Sequence, residues 1–370
     1  MAEPLKNHFG PEIPKRISKM ISDVHPEFPS RPFINTSLKG YDGLELLDRG
    51  RKIADALREH LPDDYPEAVA ILVKSIGPTL EEEPNKGMGS FLYMPHTMFV
   101  QRHGLDHFEE SMVAQYELTQ RFTAESSIRP FIEKYPKKSL ARLRKWTRDG
   151  SEHVRRLVSE GTRPRLPWSS RLRMFQEDPT PVIELLELLK DDESLYVRRS
   201  VANNLNDIGK DNPEVLYKTA ARWLKDASPE REWVVKHALR SAIKRGEAGA
   251  LKVIGYAGSA KIDVSNGLIL PEAPTIGDSI KIRFTATNNT SRRQKALVDL
   301  QIHFVKSNGS TSAKVFKLKE VELAAGQSET LGKTVSLKQH TTRKHFPGLH
   351  RVDALLNGEA VTVGSFELNE

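Results

Sequence analysis

The spacing of apolar residues changes from a period near 3.6 to a period of two close to Gly258, and a chain with two periods must build two architectures. Before that point Leu44, Leu47, Ile53, Ala54 and Leu57 fall at helical spacing within 41–61, and 107–122 is a second amphipathic stretch. Pro130, Pro136, Gly150 and Pro164 punctuate the segments that follow. After it, Ile280, Ile282, Phe284 and Ala286 recur at every second residue, as do Val298, Leu300, Ile302 and Phe304. Asn288-Asn289-Thr290, Ser307-Asn308-Gly309 and Asn357-Gly358 bound these runs, and the last is the strongest hairpin signal. Six or seven short strands in about 100 residues predict an immunoglobulin-like or fibronectin-like sandwich. Residues 259–278, with Gly, Ser, Asn and Pro and little periodicity, read as a linker. The expected chain is therefore multidomain, all-α over 1–258 and all-β over 266–370.

The helical half repeats itself. The segments 151–158, 194–201 and 231–238 align, and their residues Val154, Val197 and Val234 are 43 and 37 positions apart. A period near 40 with paired helices is the signature of a HEAT-type solenoid, in which one helix of each pair lines a common face. The alignment also superposes polar positions. Arg156 and Glu160 in the first unit match Arg199, Asn203 and Asp207 in the second and Lys236, Arg240 and Lys244 in the third. One such face is ordinary solvated surface, whereas three in register point to a shared groove.

Basic charge is concentrated at the first repeat. Residues 137–173 hold twelve Lys or Arg against three acids, a surplus larger than the +7 of the whole chain. A local surplus is what a phosphate-binding surface needs. Within it, 161–168 form an arginine-bearing loop with Arg163 and Arg165 that ends in Trp168, an aromatic suited to contact a base. The chain has no Cys, which excludes a disulfide framework and thiolate metal sites and fits the cytoplasm. No apolar run approaches the roughly 20 residues of a membrane span. The N-terminal Met1-Ala2-Glu3-Pro4-Leu5-Lys6 has no apolar stretch after its Lys, so no secretory signal is expected. His103 and His107 share a helical spacing but lack a third ligand, so no metal is expected.

The HEAT-like array, the stretch 151–161, Arg-Pro-Arg-Leu-Pro-Trp at 163–168 and Val-Arg-Arg-Ser-Val-Ala-Asn-Asn-Leu-Asn-Asp at 197–207 resemble the bacterial DNA alkylation-repair glycosylases of the HEAT-like-repeat class, AlkC type, some of which carry an immunoglobulin-like domain. The resemblance covers the full length. It implies a monofunctional N-glycosylase that binds duplex DNA and releases N3-alkylated bases, chiefly 3-methyladenine and also 3-methylcytosine. It implies neither metal nor organic cofactor, and a lesion held in or near the duplex rather than in a base-flipping pocket. The active-site positions it carries over fall on Glu125, Glu160, Asp207 and Trp168, with DNA contacts expected from the basic residues above and Asn203. Arg292 and Arg293, in a basic loop of the sandwich, are expected to touch the backbone. A monomer acting at the nucleoid of a bacterial cytoplasm follows. The alternatives are a non-enzymatic HEAT-repeat DNA binder and a protein scaffold.

The chemistry suits carboxylates. An N3-alkylated base is cationic and already a good leaving group, so the enzyme's task is to stabilise an oxocarbenium-like sugar and position water. Glu160 and Asp207 lie near Arg156 and Arg199 in the repeat alignment, which favours their charged forms. Trp168 against a cationic base adds a cation–π attraction of up to ~2 kcal/mol.

Overall fold

The computed structural model describes residues 4–80, 89–256, 258–339 and 344–370. Its helices are α1 Glu12–Val24, α2 Ser30–Leu38, α3 Leu46–His60, α4 Tyr65–Ser75, α5 Met94–His103, α6 Phe108–Thr119, α7 Arg129–Lys134, α8 Pro136–Trp146, α9 Glu152–Gly161, α10 Arg173–Glu177, α11 Thr180–Leu189, α12 Leu195–Asp211, α13 Pro213–Leu224, α14 Pro229–Lys244 and α15 Ala248–Val253. Its strands are β1 Asp263–Leu270, β2 Ser279–Thr287, β3 Gln294–Val305, β4 Thr311–Leu323, β5 Ser328–Ser336, β6 Gly348–Leu356 and β7 Glu359–Leu368. No described helix is long and apolar enough to cross a membrane.

The chain divides into two compact units. The first runs to Leu216 and includes Asp226–Ala238; the second comprises Tyr217–Lys225 and Leu239–Glu370. The helical period therefore does not end where compactness divides, since α15 and parts of α13 and α14 belong with the strands.

In the first unit the repeat is built from one local device used twice. Asp149 accepts a bond from the Ser151 N–H (2.9 Å), and Asp192 accepts the same bond from Ser194 (2.9 Å). Each turn leads into a helix, α9 or α12, whose first turn sends an arginine back to it. Arg155 donates to the Asp149 and Gly150 carbonyls, and Arg198 donates to those of Asp192 and Glu193. Arg155 also joins the two repeats, gripping both carboxylate oxygens of Asp192 at 2.7 and 2.9 Å. Beneath these polar staples Val154, Leu157, Val158, Val197, Val201, Leu205 and Ile208 are all fully buried. Val154, Leu157 and Val158 recur at i, i+3, i+4, the spacing that puts an apolar stripe on one helix face.

The second unit holds the sandwich, with antiparallel sheets ordered β1-β2-β5 and β4-β3-β6-β7. The alternating residues Ile280, Ile282, Phe284, Ala286, Val298, Leu300, Ile302 and Val352 fill the space between them. Asn357 and Gly358 take positive φ (49° and 85°), the backbone of a two-residue primed turn, and Leu356 pairs directly with Glu359 across it. Leu251 and Tyr256, from and just after α15, pack with Leu297. The expected linker 259–278 requires correction, because it contains β1. That strand lies at a sheet edge and slips register between Ser265 and Leu268, leaving Leu268 and Leu270 exposed and only Ile269 buried. A strand buried at a single position writes no alternation into its sequence.

Breaking the staple between repeats should be costly, because both Arg155 and Asp192 are almost fully buried. Asp192→Ala should lose about 3 kcal/mol in denaturant unfolding by leaving a buried guanidinium unmatched, and Arg155→Met/Asp192→Leu should recover most of it.

Candidate nucleic-acid interface and active site

The site is assembled from three pieces of the first unit: the turn 123–127 ahead of α7, the C-terminal end of α9 with the loop after it, and α12. Gly161 permits their approach. A Cβ there would lie 2.7 Å from Ile128 Cγ2, just beyond the Glu125 turn, so any larger residue would push the helix end away.

A continuous row of alternating charges runs through these pieces. Glu125 accepts from Thr123 Oγ1 (2.8 Å) and from Arg156 Nη1. Arg156 reaches Glu160 at 3.6 Å, and Glu160 accepts from Arg163 Nη1 at 2.6 Å. Arg163 Nε donates to Asp207 (2.8 Å), whose other oxygen accepts from Lys210 Nζ (2.7 Å). Ser200 supplies the second bond to Glu160 (2.6 Å) while accepting one from Ser159 (2.7 Å). Arg156 also lies over the Tyr196 ring, 5.1 Å from its centre.

Burial separates the three acids. Asp207 is fully buried, Glu160 is 5% exposed and Glu125 is half-buried. Burial works to raise the Glu160 pKa, but Arg156 and Arg163, with the Ser200 hydroxyl, outweigh it and hold the carboxyl below the ordinary range. The same pairing lifts Arg163 above its ordinary value against the pull of burial. Asp207 is deeper than the repeat alignment suggests for a geometric reason. The row 199, 203, 207 drifts round the helix, so its third member lies about 80° from the first. Arg199 is accordingly exposed, Asn203 half-buried and Asp207 inside.

A cavity of about 590 Å³ opens beside Glu125. Glu125, Arg156, Trp168 and Tyr196 line it together with apolar residues that include Phe91 and Met94. Trp168 stands at its margin with 74% of its surface exposed and a backbone φ of +62°. Such a conformation costs a bulky residue of order 1–3 kcal/mol and persists only where the surroundings impose it. Among the predicted aromatic and acidic positions, Glu125 and Trp168 thus share an accessible surface, and Glu160 and Asp207 lie behind it.

The predicted basic residues also separate. Arg156 and Arg163 are committed to the charge row, and Arg165 is held by both oxygens of Asp211. The exposed cations of the basic segment are instead Lys137, Lys138, Arg144, Lys145, Arg148, Arg171 and Arg173, of which Arg144 lies 3.5 Å from Glu184. Lys236 is exposed in the first unit beside Glu232 (3.4 Å), while half-buried Arg240 and exposed Lys244 belong to the second. In the sandwich Arg292 and Arg293 are exposed on the β2–β3 turn, with Arg293 2.8 Å from Glu322. Buried Asn288 fixes this turn by donating to the carbonyls of Arg292, Leu323 and Ala324. The sequence has a further basic stretch at 338–345, in which His340, Thr341, Thr342 and Arg343 lie outside the described residues. His103 ends α5 and His107 precedes α6, so a helix break separates them, and each ring packs against an aromatic of the core.

Comparison with known proteins places this arrangement in context. The family described as "Uncharacterised protein YhaZ, C-terminal Ig-like domain" matches residues 263–370. A Bacillus subtilis (strain 168) protein, "Uncharacterized protein YhaZ", is 37% identical over 356 residues, 96% of each chain. The structure is similar to that of Pseudomonas fluorescens alkylpurine DNA glycosylase AlkC bound to DNA containing an abasic site analog, at 36% identity, a TM-score of 0.91 and full coverage of both chains.

The ion pairs give the fold an acid limit. Glu160 is held below the ordinary carboxylate range, as is Asp211, chiefly by its bonds from Arg165. Stability from a depressed carboxyl is complete above its unfolded pKa, near 4, and is lost as pH falls through the lower folded value. The denaturant midpoint should therefore drop below about pH 4, and Asp211→Asn should make that drop shallower.

Proposed function

The chain belongs to the family of AlkC and YhaZ, and from that membership we propose that it is a monofunctional DNA glycosylase that excises alkylated purines from duplex DNA in base-excision repair. The observation that carries this reading is the end-to-end likeness to a glycosylase structure that holds an abasic-site analogue. The favoured lesions are cationic N3-alkylated bases, 3-methyladenine first and 3-methylcytosine second. The division of labour is a catalytic region within 1–258 and a sandwich that begins with β1 at Asp263 and whose Arg292 and Arg293 meet the DNA backbone. Both relatives are bacterial, and in this reading the protein acts as a monomer in the cytoplasm.

Glu125 and Trp168 meet the lesion in this mechanism. Trp168 lies against the cationic base at the duplex. As the bond between base and sugar C1′ breaks, its electron pair leaves with the base, which becomes neutral because it was cationic. The Glu125 carboxylate stabilises the positive charge that develops on the sugar and accepts a proton from the water that adds to C1′. Arg156 holds Glu125 in place. Glu160 and Asp207 act one step back: Glu160 holds Arg156 and Arg163, and Asp207 holds Arg163 at the base of the Trp168 loop. The phosphates are met by the exposed cations of 137–173 and by Arg199.

Release of free base from dimethyl sulfate–treated duplex DNA, read by chromatography, tests the activity. The protein should release 3-methyladenine and leave alkali-labile abasic sites without cutting the strand. Glu125→Gln should slow single-turnover release by about 100-fold, the scale of one preorganised electrostatic group, with DNA affinity unchanged or tighter. Absence of base release from the unaltered protein contradicts the assignment.

A further inference from the structure

The loop 162–172 that carries Trp168 is closed on itself. Leu172 N donates to the Pro164 carbonyl (3.2 Å), Leu166 is buried beneath the loop, and Trp168 projects from its tip. The side chain that holds its two arms together comes from elsewhere in the chain. Arg129, the first residue of α7 and only 1% exposed, sends its guanidinium into the base of the loop. Nη1 donates to the Gly161 carbonyl (3.0 Å) and the Arg163 carbonyl (2.8 Å), on the incoming arm. Nε and Nη2 both donate to the Ser170 carbonyl (3.1 and 2.5 Å), on the outgoing arm. Four N–H bonds from one rigid plane thus fix the separation of the two arms. Nearby, the Ser126 and Ser169 hydroxyls share a bond of 2.6 Å, tying the residue after Trp168 to the turn that carries Glu125.

This grip accounts for two features that otherwise oppose each other. Trp168 is exposed, so packing does not hold its ring, yet its backbone occupies a left-handed conformation that an untethered loop would relax. We infer that Arg129 is a positioning residue of the site: by clamping both arms of the 162–172 loop it holds Trp168 rigidly at the margin of the cavity, at a fixed distance from Glu125. The inference rests on the proposed reading that Trp168 meets the lesion. Arg129 is itself buried, so its action on the lesion runs through Trp168. Lysine cannot replace it, because a single ammonium has no planar fork to span three carbonyls. The residue that enables this carries no signal in the sequence, since its neighbours Ile128 and Pro130 mark only a helix start.

A double-mutant cycle tests the clamp. Single-turnover release of 3-methyladenine and DNA affinity are measured for the unaltered protein, Arg129→Lys, Trp168→Ala and the double variant, with thermal melting of each. Arg129→Lys should slow release by about 10- to 100-fold, the scale on which a misplacement near 1 Å reduces rate, and should change affinity much less. In the Trp168→Ala background the same substitution should have almost no further effect on release. Equal losses in both backgrounds overturn the inference, because Arg129 then acts on the fold or on Glu160, and so does an unchanged rate in the single variant. Where Arg129→Lys fails to fold, Ser169→Ala removes only the hydroxyl tie, and its smaller loss should vanish in the same background; a loss that persists there overturns the inference. A failure of the glycosylase reading is distinct, since the unaltered protein then releases no base.

Discussion

Everything around the site hangs on a row of charges that is buried at its centre, Glu125–Arg156–Glu160–Arg163–Asp207–Lys210. Desolvating an ion costs several kcal/mol, and only partners with good geometry offset that cost. In this row each interior member has a partner on both sides, and the spare oxygen of Glu160 is occupied by the Ser200 hydroxyl. Removal of an interior member leaves each of its neighbours one partner short. The row therefore works as a joint between a turn, a helix end and a second helix that are far apart in sequence. It locks the repeats at the place where the accessible surface of the site begins.

The row is also electrically balanced, with three acids against three cations. That resolves a conflict that any carboxylate in a phosphate-binding groove must meet. Anions needed near a cationic lesion would repel the backbone that delivers it. In the proposed reading the repulsion is cancelled within the protein, and the attraction is left to separate, exposed cations such as Lys137, Lys145, Arg148 and Arg171. Each acid has its cationic partner, and the surface stays attractive. Rigidity follows from the same contacts, because Arg163, which pairs with both Glu160 and Asp207, stands at the start of the loop that carries Trp168.

Much of this was legible in the sequence, and the remainder was illegible for physical reasons. The two periods mark the helices and strands directly, because each stripe faces a core. The strand β1 left no alternation because only one of its residues is buried. The repeat alignment found α9, α12 and α14 and three members of the charge row, Arg156, Glu160 and Asp207, since spacing records register. It could not show which acids face outward, because a row at every fourth residue drifts round a helix and takes Asp207 inside. Arg163 and Arg165 read as phosphate contacts because charge is visible in sequence, whereas their partners Asp207 and Asp211 lie 44 and 46 residues away. The turn residues Asp149 and Asp192, 43 apart and each two before a Ser, were a repeat signal present in the sequence and unused.

The central claim is that accessible Glu125 performs chemistry while buried Asp207 holds the framework that aims it. Thermal melting measured beside single-turnover excision of 3-methyladenine, on Glu125→Gln and Asp207→Asn, separates the two roles. The expected result is a Glu125→Gln protein that melts as the unaltered protein does and excises about 100-fold more slowly, and an Asp207→Asn protein whose melting temperature and excision fall together. An Asp207→Asn protein that keeps its melting temperature and still loses excision, or a Glu125→Gln protein that excises normally, would contradict it.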